Sequence, residues 1–256
     1  MSTIKTQTQF KCKADNKCTF VNNATAKKDR KDIFLIIRDT NKLMKEESLE
    51  YPGASAMLVG SAKRSMIYIK SENDNQYDHD IQNKYSNKKN SISEGEKTNN
   101  LRKDFMKNFN EIVKKLKKSG DLVEGVKWKL QNSTSAITVT KTLDGVLLTS
   151  FDIAFIDALN NKIHKLDKVQ QLSIWNELKG NSEKAYQDAK TLNLKLLKEM
   201  YLNLKCNQKD LNKNDIIYKP STSLFIEAVN NCKKIKSCNI NEVQETKPVE
   251  KAKSKK

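Results

Sequence analysis

The chain has 256 residues, of which 37% are hydrophobic and 31% charged, with only 7 glycines and 3 prolines. This composition favours a soluble, helix-rich globular protein over a disordered chain. Lysine and arginine number 48 against 31 acidic residues, so the net charge of +17 predicts polyanionic partners, such as a triphosphate or a nucleic acid. No apolar run approaches the roughly 18 residues of a membrane span, and Met1–Lys13 lacks the apolar stretch of a signal peptide. We therefore predict a cytoplasmic protein with no membrane partner.

The first predicted elements are a helix, a short strand and a glycine-serine turn. Ala24–Glu47 is predicted as a helix because its apolar residues recur at helical spacing among charges, and we expect it to pack on a sheet. Tyr51-Pro52-Gly53 then breaks the chain, and Ala54–Val59 is predicted as a strand that ends at Gly60-Ser61. The strand therefore leads directly into this turn.

A second strand and a second helix follow. Gln76–Gln82 is predicted as a strand, and Asn83–Asn99, rich in Asn, Ser and Lys, as an exposed loop or insertion. Leu101–Lys118 has helical spacing, and Gly120 is a stop signal. Three further strands are predicted over Leu122–Leu130, Ala136–Thr140 and Val146–Ile156.

The remaining sequence has a helical pattern. The apolar spacing predicts helices over Ile163–Trp175 and Leu192–Leu204, and Lys219-Pro220-Ser221 precedes a final helix over Ser223–Ile235. The Lys- and Glu-rich end, Glu242–Lys256, is predicted to be a disordered tail. This half of the chain is therefore expected to form a helical lobe.

Two carboxylates lie on one face of the strand at Gln76–Gln82. Side chains alternate between the faces of a strand, so Asp78 and Asp80 point one way, and Tyr77, His79 and Ile81 point to the core. Two residues of strand separate the two aspartates by roughly 6.5 Å, a spacing suited to a pair of metal ions. Glycosyltransferases also hold a metal with an Asp-X-Asp pair, so the pair alone leaves both reactions open.

A third carboxylate follows from the same alternation in Val146–Ile156. Asp152 lies off the apolar face, whereas Asp157 has the opposite parity and is interpreted as a strand-end or helix-start acid. Aspartate is disfavoured in strands. Three aspartates on the polar faces of adjacent strands would repel one another unless divalent cations neutralised them.

The Gly60-Ser61 turn is a candidate phosphate site. A glycine between a strand and a helix lets the backbone approach a phosphate, and amides, hydroxyl and helix dipole all favour the anion. Lys63 and Arg64 add positive charge nearby.

The cysteines are considered as a zinc site and the histidines as part of a catalytic triad. Five cysteines, an odd number, predict reduced intracellular thiols. The alternative is a four-thiolate zinc site, because Cys12 and Cys18 share their spacing with Cys232 and Cys238. The two histidines, His79 and His164, have no nucleophile that would complete a catalytic triad.

The order of strand, Gly-Ser turn, Asp-X-Asp strand and later aspartate strand resembles one known group. Gly60–Ile67, Tyr77–Ile81 and Ser150–Leu159 are similar to three segments of the DNA polymerase beta-like nucleotidyltransferases, particularly cyclic GMP-AMP synthase, oligoadenylate synthetase and their bacterial relatives. The resemblance spans about residues 30–160. A looser likeness covers Lys219–Ser221 and Glu227–Val229.

The resemblance implies an α+β fold, with a mixed β-sheet flanked by helices and a C-terminal helical lobe. Together with the composition, it predicts a polar leader at 1–23, a nucleotidyltransferase domain at 24–160, a helical lobe at 161–240 and a disordered basic tail at 241–256. It also implies a nucleoside triphosphate substrate and Mg²⁺ or Mn²⁺ held by Asp78, Asp80 and Asp152.

In the implied reaction Asp152 activates an acceptor hydroxyl, which attacks the α-phosphate and expels pyrophosphate. Ser61 would contact the β- or γ-phosphate. Lys198 and Lys205 are candidate phosphate ligands, although a solvated helix face is the simpler interpretation of either one. Ser221 is a candidate too, with N-capping the favoured role.

Three classes of function remain open at this point. A synthase of nucleotide second messengers is favoured because the resemblance is nearest there. An enzyme that nucleotidylates RNA, tRNA or protein, as some toxins do, needs the same carboxylates. A catalytically idle scaffold that binds nucleic acid through its basic surface is the third, although such a scaffold would have no use for three clustered aspartates.

Overall fold

The computed structural model describes residues 19–20, 23–48, 51–63, 68–69, 77–86, 91–94, 100–167, 172–178, 183–208 and 219–235. The chain divides into two compact units. The sheet unit is Thr19–Lys179. The helical unit contains Met1–Cys18 and Gly180–Lys256, and its described residues are 183–208 and 219–235.

The sheet unit is built on a mixed sheet. Its elements are β1 (Thr19–Phe20), α1 (Asn23–Glu47), β2 (Ala54–Leu58), α2 (Gly60–Lys63), β3 (Tyr68–Ile69), β4 (Asp78–Tyr85), a 3-10 turn (Ile92–Glu94), α3 (Leu101–Lys118), β5 (Val126–Asn132), β6 (Ile137–Leu143), β7 (Val146–Asp157), β8 (Lys162–Asp167) and β9 (Leu172–Glu177). The strand order is β2-β4-β7-β6-β5, with β8 pairing β7 and β9. Only β4 and β7 pair in parallel among these strands, and β1 and β3 form a separate ribbon. The predicted mixed sheet flanked by helices is confirmed.

Two long helices cover one face of this sheet. Ile33, Ile36 and Ile37 of α1 pack in the same buried cluster as Phe105 and Phe109 of α3. The strands contribute the residues of one parity to this cluster, namely Ile81, Tyr85, Ile137, Val139, Phe151, Ile153 and Phe155. Because alternate residues point to opposite sides of a strand, the polar residues of β4 and β7 lie on the other face. The predicted bounds of α1 and α3 are confirmed to within one residue.

A buried arginine ties α3 to the far end of the sheet. Arg102 is 3% exposed, and its guanidinium donates hydrogen bonds to Asn132 Oδ1 (2.8 Å), His164 Nδ1 (3.0 Å) and the carbonyls of Ser133, Thr134 and His164. Burial lowers the pKa of Arg102 to about 10, which leaves the guanidinium charged at neutral pH. The rigid fork of donors thus links α3 to Asn132, Ser133 and Thr134 at the end of β5 and to His164 of β8.

We expect Arg102→Met to destabilise the sheet unit by about 3 kcal/mol, because the two buried hydrogen bonds to His164 and the partly buried ones to Asn132, Ser133 and Thr134 would be lost. Both tryptophans, Trp128 and Trp175, lie in this unit, so urea unfolding followed by fluorescence reports on it. The matched control is Lys103→Met, which makes the same kind of change at the exposed neighbouring position and should cost less than about 0.5 kcal/mol. Equal unfolding midpoints for the two variants would contradict the role given to Arg102.

The predicted helix over Ile163–Trp175 is wrong, because this segment contains β8 and β9. Asp157 ends β7, and its Oδ1 accepts hydrogen bonds from the backbone amides of Leu159 (2.9 Å) and Asn160 (3.2 Å). The resulting turn reverses the chain from β7 into β8, which pairs antiparallel with β7. On its other side β8 pairs with β9, where His164 lies opposite Trp175 with ring centroids 4.9 Å apart. The compact sheet unit therefore extends to Lys179, whereas the domain was predicted to end at residue 160.

The segment predicted as a loop from Asn83 onward begins as strand. Asn83 and Tyr85 belong to β4 and are buried, and Asn83 exchanges two amide hydrogen bonds with Asn41 of α1 (2.8 and 2.9 Å). Residues 91–94 are held against the end of β7 through Ser91 Oγ, which donates to Asp157 Oδ2 at 2.5 Å. Residues 87–90 and 95–99 lie outside the described residues. A polar composition therefore did not mean exposure at Asn83.

The helical unit contains α4 (Glu183–Ala189), α5 (Leu194–Cys206) and α6 (Ser221–Lys233). Tyr201 and Phe225 pack between α5 and α6, with ring centroids 6.2 Å apart. The helices predicted over Leu192–Leu204 and Ser223–Ile235 are confirmed as α5 and α6, although α6 begins at Ser221 rather than Ser223, and α4 was not predicted. None of the described helices is long and apolar enough to cross a lipid bilayer.

Two cysteines correct the prediction of reduced thiols. Cys206 and Cys232 are both disulfide-bonded and buried. A thiol in a disulfide cannot ligate zinc, so the four-thiolate site that included Cys232 is wrong as proposed. Cys12, Cys18 and Cys238 lie outside the described residues.

Candidate active site

The candidate site begins with the exposed face of β4. Asp78 and Asp80 are exposed, whereas His79 and Ile81 are buried, so the strand alternates between acid and core as predicted. His79 stacks on Phe151 of β7, with ring centroids 5.1 Å apart and planes 10° apart. The histidine therefore packs in the core, and the two aspartates are left on the open face.

The third aspartate lies on the neighbouring strand. β7 runs parallel to β4, and the register places Asp80 directly opposite Asp152 and Asp78 directly opposite Ser150. Residues that face each other across two strands point to the same side of the sheet. Asp78, Asp80 and Asp152 therefore share one face of adjacent strands, and this set is called the acid face below.

Two hydroxyls donate hydrogen bonds to the carboxylates of Asp78 and Asp152 on the acid face. Ser150 Oγ donates to Asp78 Oδ1, and Thr138 Oγ1 of β6 donates to Asp152 Oδ1 at 2.6 Å. Hydroxyl donors of this kind offset part of the electrostatic repulsion between neighbouring carboxylates. Each bond engages one carboxylate oxygen, so Oδ2 of Asp78 and of Asp152 is still available as a ligand.

The donor set of the acid face fits a hard divalent cation. Carboxylate oxygens are the ligands that Mg²⁺ and Mn²⁺ prefer. Within the part of the chain that the structure describes, no three His, Cys, Asp or Glu side chains are already gathered into a set of metal ligands. Ion binding would therefore require the three carboxylates to move toward a common point, with Oδ2 of Asp78 and of Asp152 as the oxygens that the two hydroxyls leave unengaged.

Gly60 closes one side of the acid face. Its φ is +60°, a conformation that residues with a Cβ rarely adopt, and a Cβ built there would overlap Asp80 Oδ2 and lie 3.1 Å from Asp80 Cγ. The backbone amide of Val59 also donates to the carbonyl of Asp80 at 2.9 Å. The glycine is needed here because the turn packs directly on a carboxylate, which the sequence pattern alone did not indicate.

The other predicted phosphate ligands of this turn are only partly described. Lys63 is exposed and ends the four-residue α2, and Ser61 lies within the same helix. Arg64 lies outside the described residues. The roles of these three residues therefore stay predictions.

The helical unit contains the remaining predicted ligands. Lys198 is half-buried on α5. The predicted N-cap role of Ser221 is wrong, because Pro220 occupies the cap position and Ser221 Oγ accepts a hydrogen bond from Lys205 Nζ at 2.6 Å. An ammonium group and a hydroxyl therefore meet at the exposed start of α6.

Asp157 is separate from the acid face, as its parity predicted. It is 1% exposed. Burial alone would raise the pKa of Asp157, but hydrogen bonds from Ser91, Ser93 and Asn160 outweigh it, so the pKa lies below its ordinary value. Asp157 is therefore a structural anion that holds the end of β7.

Ser150 and Thr138 were missed by the sequence patterns. Nothing local distinguishes a serine or threonine that holds a carboxylate from any other strand hydroxyl. The cross-strand register pairs Thr138 with Asp152 and Ser150 with Asp78, and only this register identifies both residues.

The fold is similar to that of solved nucleotide-binding enzymes. The sequence matches no protein-family model, and no curated protein matches it. Three structures of Vibrio cholerae DncV are similar to the chain at 12% identity. They are the 3′-deoxy GTP form (TM-score 0.54, covering 86% of this chain and 68% of that one), the form with nonhydrolyzable GTP, described as a cyclic AMP-GMP synthase (0.53, 86% and 69%), and the 3′-deoxy ATP form (0.52, 89% and 71%). The chain therefore has the nucleotidyltransferase fold that its motifs suggested.

Proposed function

We propose that the chain is a nucleotidyltransferase that transfers a nucleoside monophosphate from a nucleoside triphosphate to an acceptor hydroxyl, with release of pyrophosphate. The observation that carries the proposal is the register of β4 and β7, which sets Asp80 opposite Asp152 and leaves Asp78 on the same face. Three aspartates on adjacent strands are costly in a protein that does not use them, because like charges repel. The likeness to DncV at the level of the fold supports the same reaction.

The acid face is the proposed metal site. Asp78, Asp80 and Asp152 would hold Mg²⁺ or Mn²⁺, which when bound neutralises charge on the transferring phosphoryl group. Asp80 is central, because it faces Asp152 across the strand pair and packs against Gly60.

The protein's own residues then have separate tasks in the proposed reaction. Asp152 takes the proton of the acceptor hydroxyl, and the oxygen of that hydroxyl forms the new bond to the α-phosphorus. The bond between that phosphorus and the bridging oxygen to the β-phosphate breaks, and pyrophosphate leaves with the electron pair. The close approach of the Gly60 backbone keeps Asp80 in one orientation, which matters because displacement of a reacting group by about 1 Å costs about 10²-fold in rate.

The start of α6 is the proposed second phosphate contact. Lys205 and Ser221 already form a cation and hydroxyl pair there, and the N-terminus of a helix favours an anion. Ser61, Lys63 and Arg64 of the sheet unit are proposed as triphosphate ligands, and Lys198 is proposed separately for the helical unit.

The product that we favour is a nucleotide second messenger, since the similar structures include a cyclic AMP-GMP synthase. The proposal retains the predicted cytoplasmic location. Disulfides are rare in a reducing cytosol, so a count of free thiols in the protein as isolated from its source cells, with thiols blocked at lysis, tests this location.

The experiment that tests the function is mass spectrometry of the products formed from all four nucleoside triphosphates with Mg²⁺ or Mn²⁺. We expect pyrophosphate together with a phosphatase-resistant oligonucleotide, cyclic or linear. Labelling of added RNA or protein in place of that product would overturn the second-messenger version. Absence of any transfer, together with tight RNA binding that persists in Asp78→Ala/Asp80→Ala, would overturn the enzyme itself.

A further inference from the structure

A threonine on β6 holds the aspartate of β7. Thr138 faces Asp152 across the antiparallel pair, and Thr138 Oγ1 donates a hydrogen bond to Asp152 Oδ1 at 2.6 Å. This distance is typical of the strong hydrogen bonds that hydroxyls donate to carboxylates. Threonine is branched at Cβ, which restricts the rotamers open to its hydroxyl. The bond therefore fixes the orientation of Asp152 from the side of β6.

The same relation recurs one strand farther along the sheet. Ser150 of β7 faces Asp78 of β4, and Ser150 Oγ donates to Asp78 Oδ1. In both cases the hydroxyl comes from the neighbouring strand that lies toward β5 in the strand order. Two of the three carboxylates of the acid face thus have Oδ1 engaged by the protein, and the hydroxyls leave Oδ2 of each for a ligand.

The number of carboxylate oxygens on offer decides which cation suits the acid face. Ca²⁺ takes about six to eight oxygen ligands and can bind both oxygens of one carboxylate. Mg²⁺ is smaller, requires a near-octahedral shell, keeps several waters and is usually bound through one or two carboxylates. An aspartate whose Oδ1 is engaged by a hydroxyl offers a single oxygen, so it suits Mg²⁺ better than Ca²⁺.

We propose that Thr138, together with Ser150, restricts the acid face to single-oxygen ligation and thereby makes it select Mg²⁺ over Ca²⁺. This inference rests on the proposed function, in which the acid face holds the cation. Thr138 is a positioning residue, because it acts through Asp152. Loss of its hydroxyl would free Asp152 Oδ1, so that the carboxylate could bind a larger cation with both oxygens.

The test removes one hydroxyl and keeps the shape of the side chain. Thr138→Val replaces the hydroxyl with a methyl group, and Thr138→Ser retains the donor. The matched control is Thr140→Val, which makes the same change two residues along β6 on the same face, where the hydroxyl donates to the carbonyl of Lys129 (3.4 Å). Ser150→Ala carries the same test through Asp78 and decides the matter should Thr138→Val fold poorly.

The measurement is thermal unfolding followed by tryptophan fluorescence, which reports on the sheet unit because Trp128 and Trp175 both lie in it. Mg²⁺ or Ca²⁺ is titrated at a fixed concentration of a nonhydrolysable ATP analogue, so that the site is complete without turnover. The rise in unfolding temperature gives a Kd for each cation, because a ligand that binds only the folded protein stabilises it. Asp80→Asn, titrated in parallel, measures the binding that does not involve the acid face.

We expect the ratio of the Kd for Ca²⁺ to the Kd for Mg²⁺ to fall about tenfold in Thr138→Val, a size typical of losing a hydrogen-bond partner of a metal ligand. Ser150→Ala should change the ratio in the same direction, and Thr138→Ser and Thr140→Val should match the wild type. In turnover with Mg²⁺, kcat of Thr138→Val should fall while the KM for the nucleotide is unchanged.

Three outcomes would overturn the proposal. They are an unchanged ratio in Thr138→Val, an equal weakening of both cations, which would mean that Thr138 only supports the fold, and the same change of ratio in Thr140→Val. If Thr138→Val does not fold, an unchanged ratio in Ser150→Ala has the same force.

Failure of this inference is separable from failure of the proposed function. If neither cation stabilises the wild type more than it stabilises Asp80→Asn, the acid face is not a cation site, and the proposed function fails. If the wild type shows binding that depends on Asp80 and the ratio survives in Thr138→Val, only the role of the hydroxyls is wrong.

Discussion

Asp80→Asn should reduce nucleotidyl transfer by about 10³-fold, which corresponds to about 4 kcal/mol of transition-state stabilisation. The substitution keeps the size of the side chain and removes its charge. Asp80 faces Asp152 across β4 and β7 and packs against Gly60, so its charge is the centre of the acid face. The measurement is the initial rate of pyrophosphate release at saturating Mg²⁺ and nucleotide.

The matched control for this variant is Asp144→Asn. Asp144 is exposed in the turn between β6 and β7, where its φ of 49° suits asparagine as well as aspartate. The control should retain the wild-type rate, and both variants should unfold within a few degrees of the wild type. A rate for Asp80→Asn within tenfold of the control would exclude the acid face as the catalytic centre.

Gly60→Ala should reduce the rate by about 10²-fold with a smaller effect on stability. The added methyl would overlap Asp80 Oδ2, so the carboxylate or the turn must move. The backbone would also be strained, because alanine at positive φ costs roughly 1–2 kcal/mol. Steady-state kinetics together with thermal unfolding separates the loss of activity from the loss of stability.

Substitution of two other glycines separates the effect of backbone strain from that of the contact with Asp80. Gly145 also has a positive φ, 83°, but a Cβ there would meet nothing within 4 Å, so Gly145→Ala measures backbone strain without displacement of a catalytic group. Gly53 has neither feature, and Gly53→Ala should be nearly neutral. If Gly145→Ala lowers the rate as much as Gly60→Ala, the contact between Gly60 and Asp80 is not what matters for activity.

Local pattern was sufficient where one period dominates the sequence. The helical spacing of apolar residues in Ala24–Glu47 and Leu101–Lys118 predicted α1 and α3, because each helix buries one continuous stripe against the sheet. The alternation around Asp78 predicted which side chains face the core, because strand parity is a property of the backbone alone. Fold class and the identity of the acids therefore followed from sequence.

Contacts between distant segments decided the rest. The predicted helix at Ile163–Trp175 was wrong because the spacing of its apolar residues suits paired strands as well as a helix. Three long-range features favour the strands, namely the pairing of β8 with β7 and β9, the turn held by Asp157, and the hydrogen bond from Arg102 to the buried His164. Asn83 was predicted to lie in a loop because it is polar, but its hydrogen bonds with Asn41 allow it to be buried in β4. In both cases a residue distant in sequence forms the hydrogen bonds of the buried polar group, and the local sequence does not indicate which residue that is.

The residue types of the site were determined by the sequence, and their arrangement by the tertiary structure. Asp78, Asp80 and Asp152 were identifiable as candidates from parity alone. The register between β4 and β7, the hydroxyls of Ser150 and Thr138 and the approach of Gly60 to Asp80 all depend on which strands pair. Strand pairing is a long-range choice, made by the burial of one shared apolar face, and it is this choice that brings the three aspartates together.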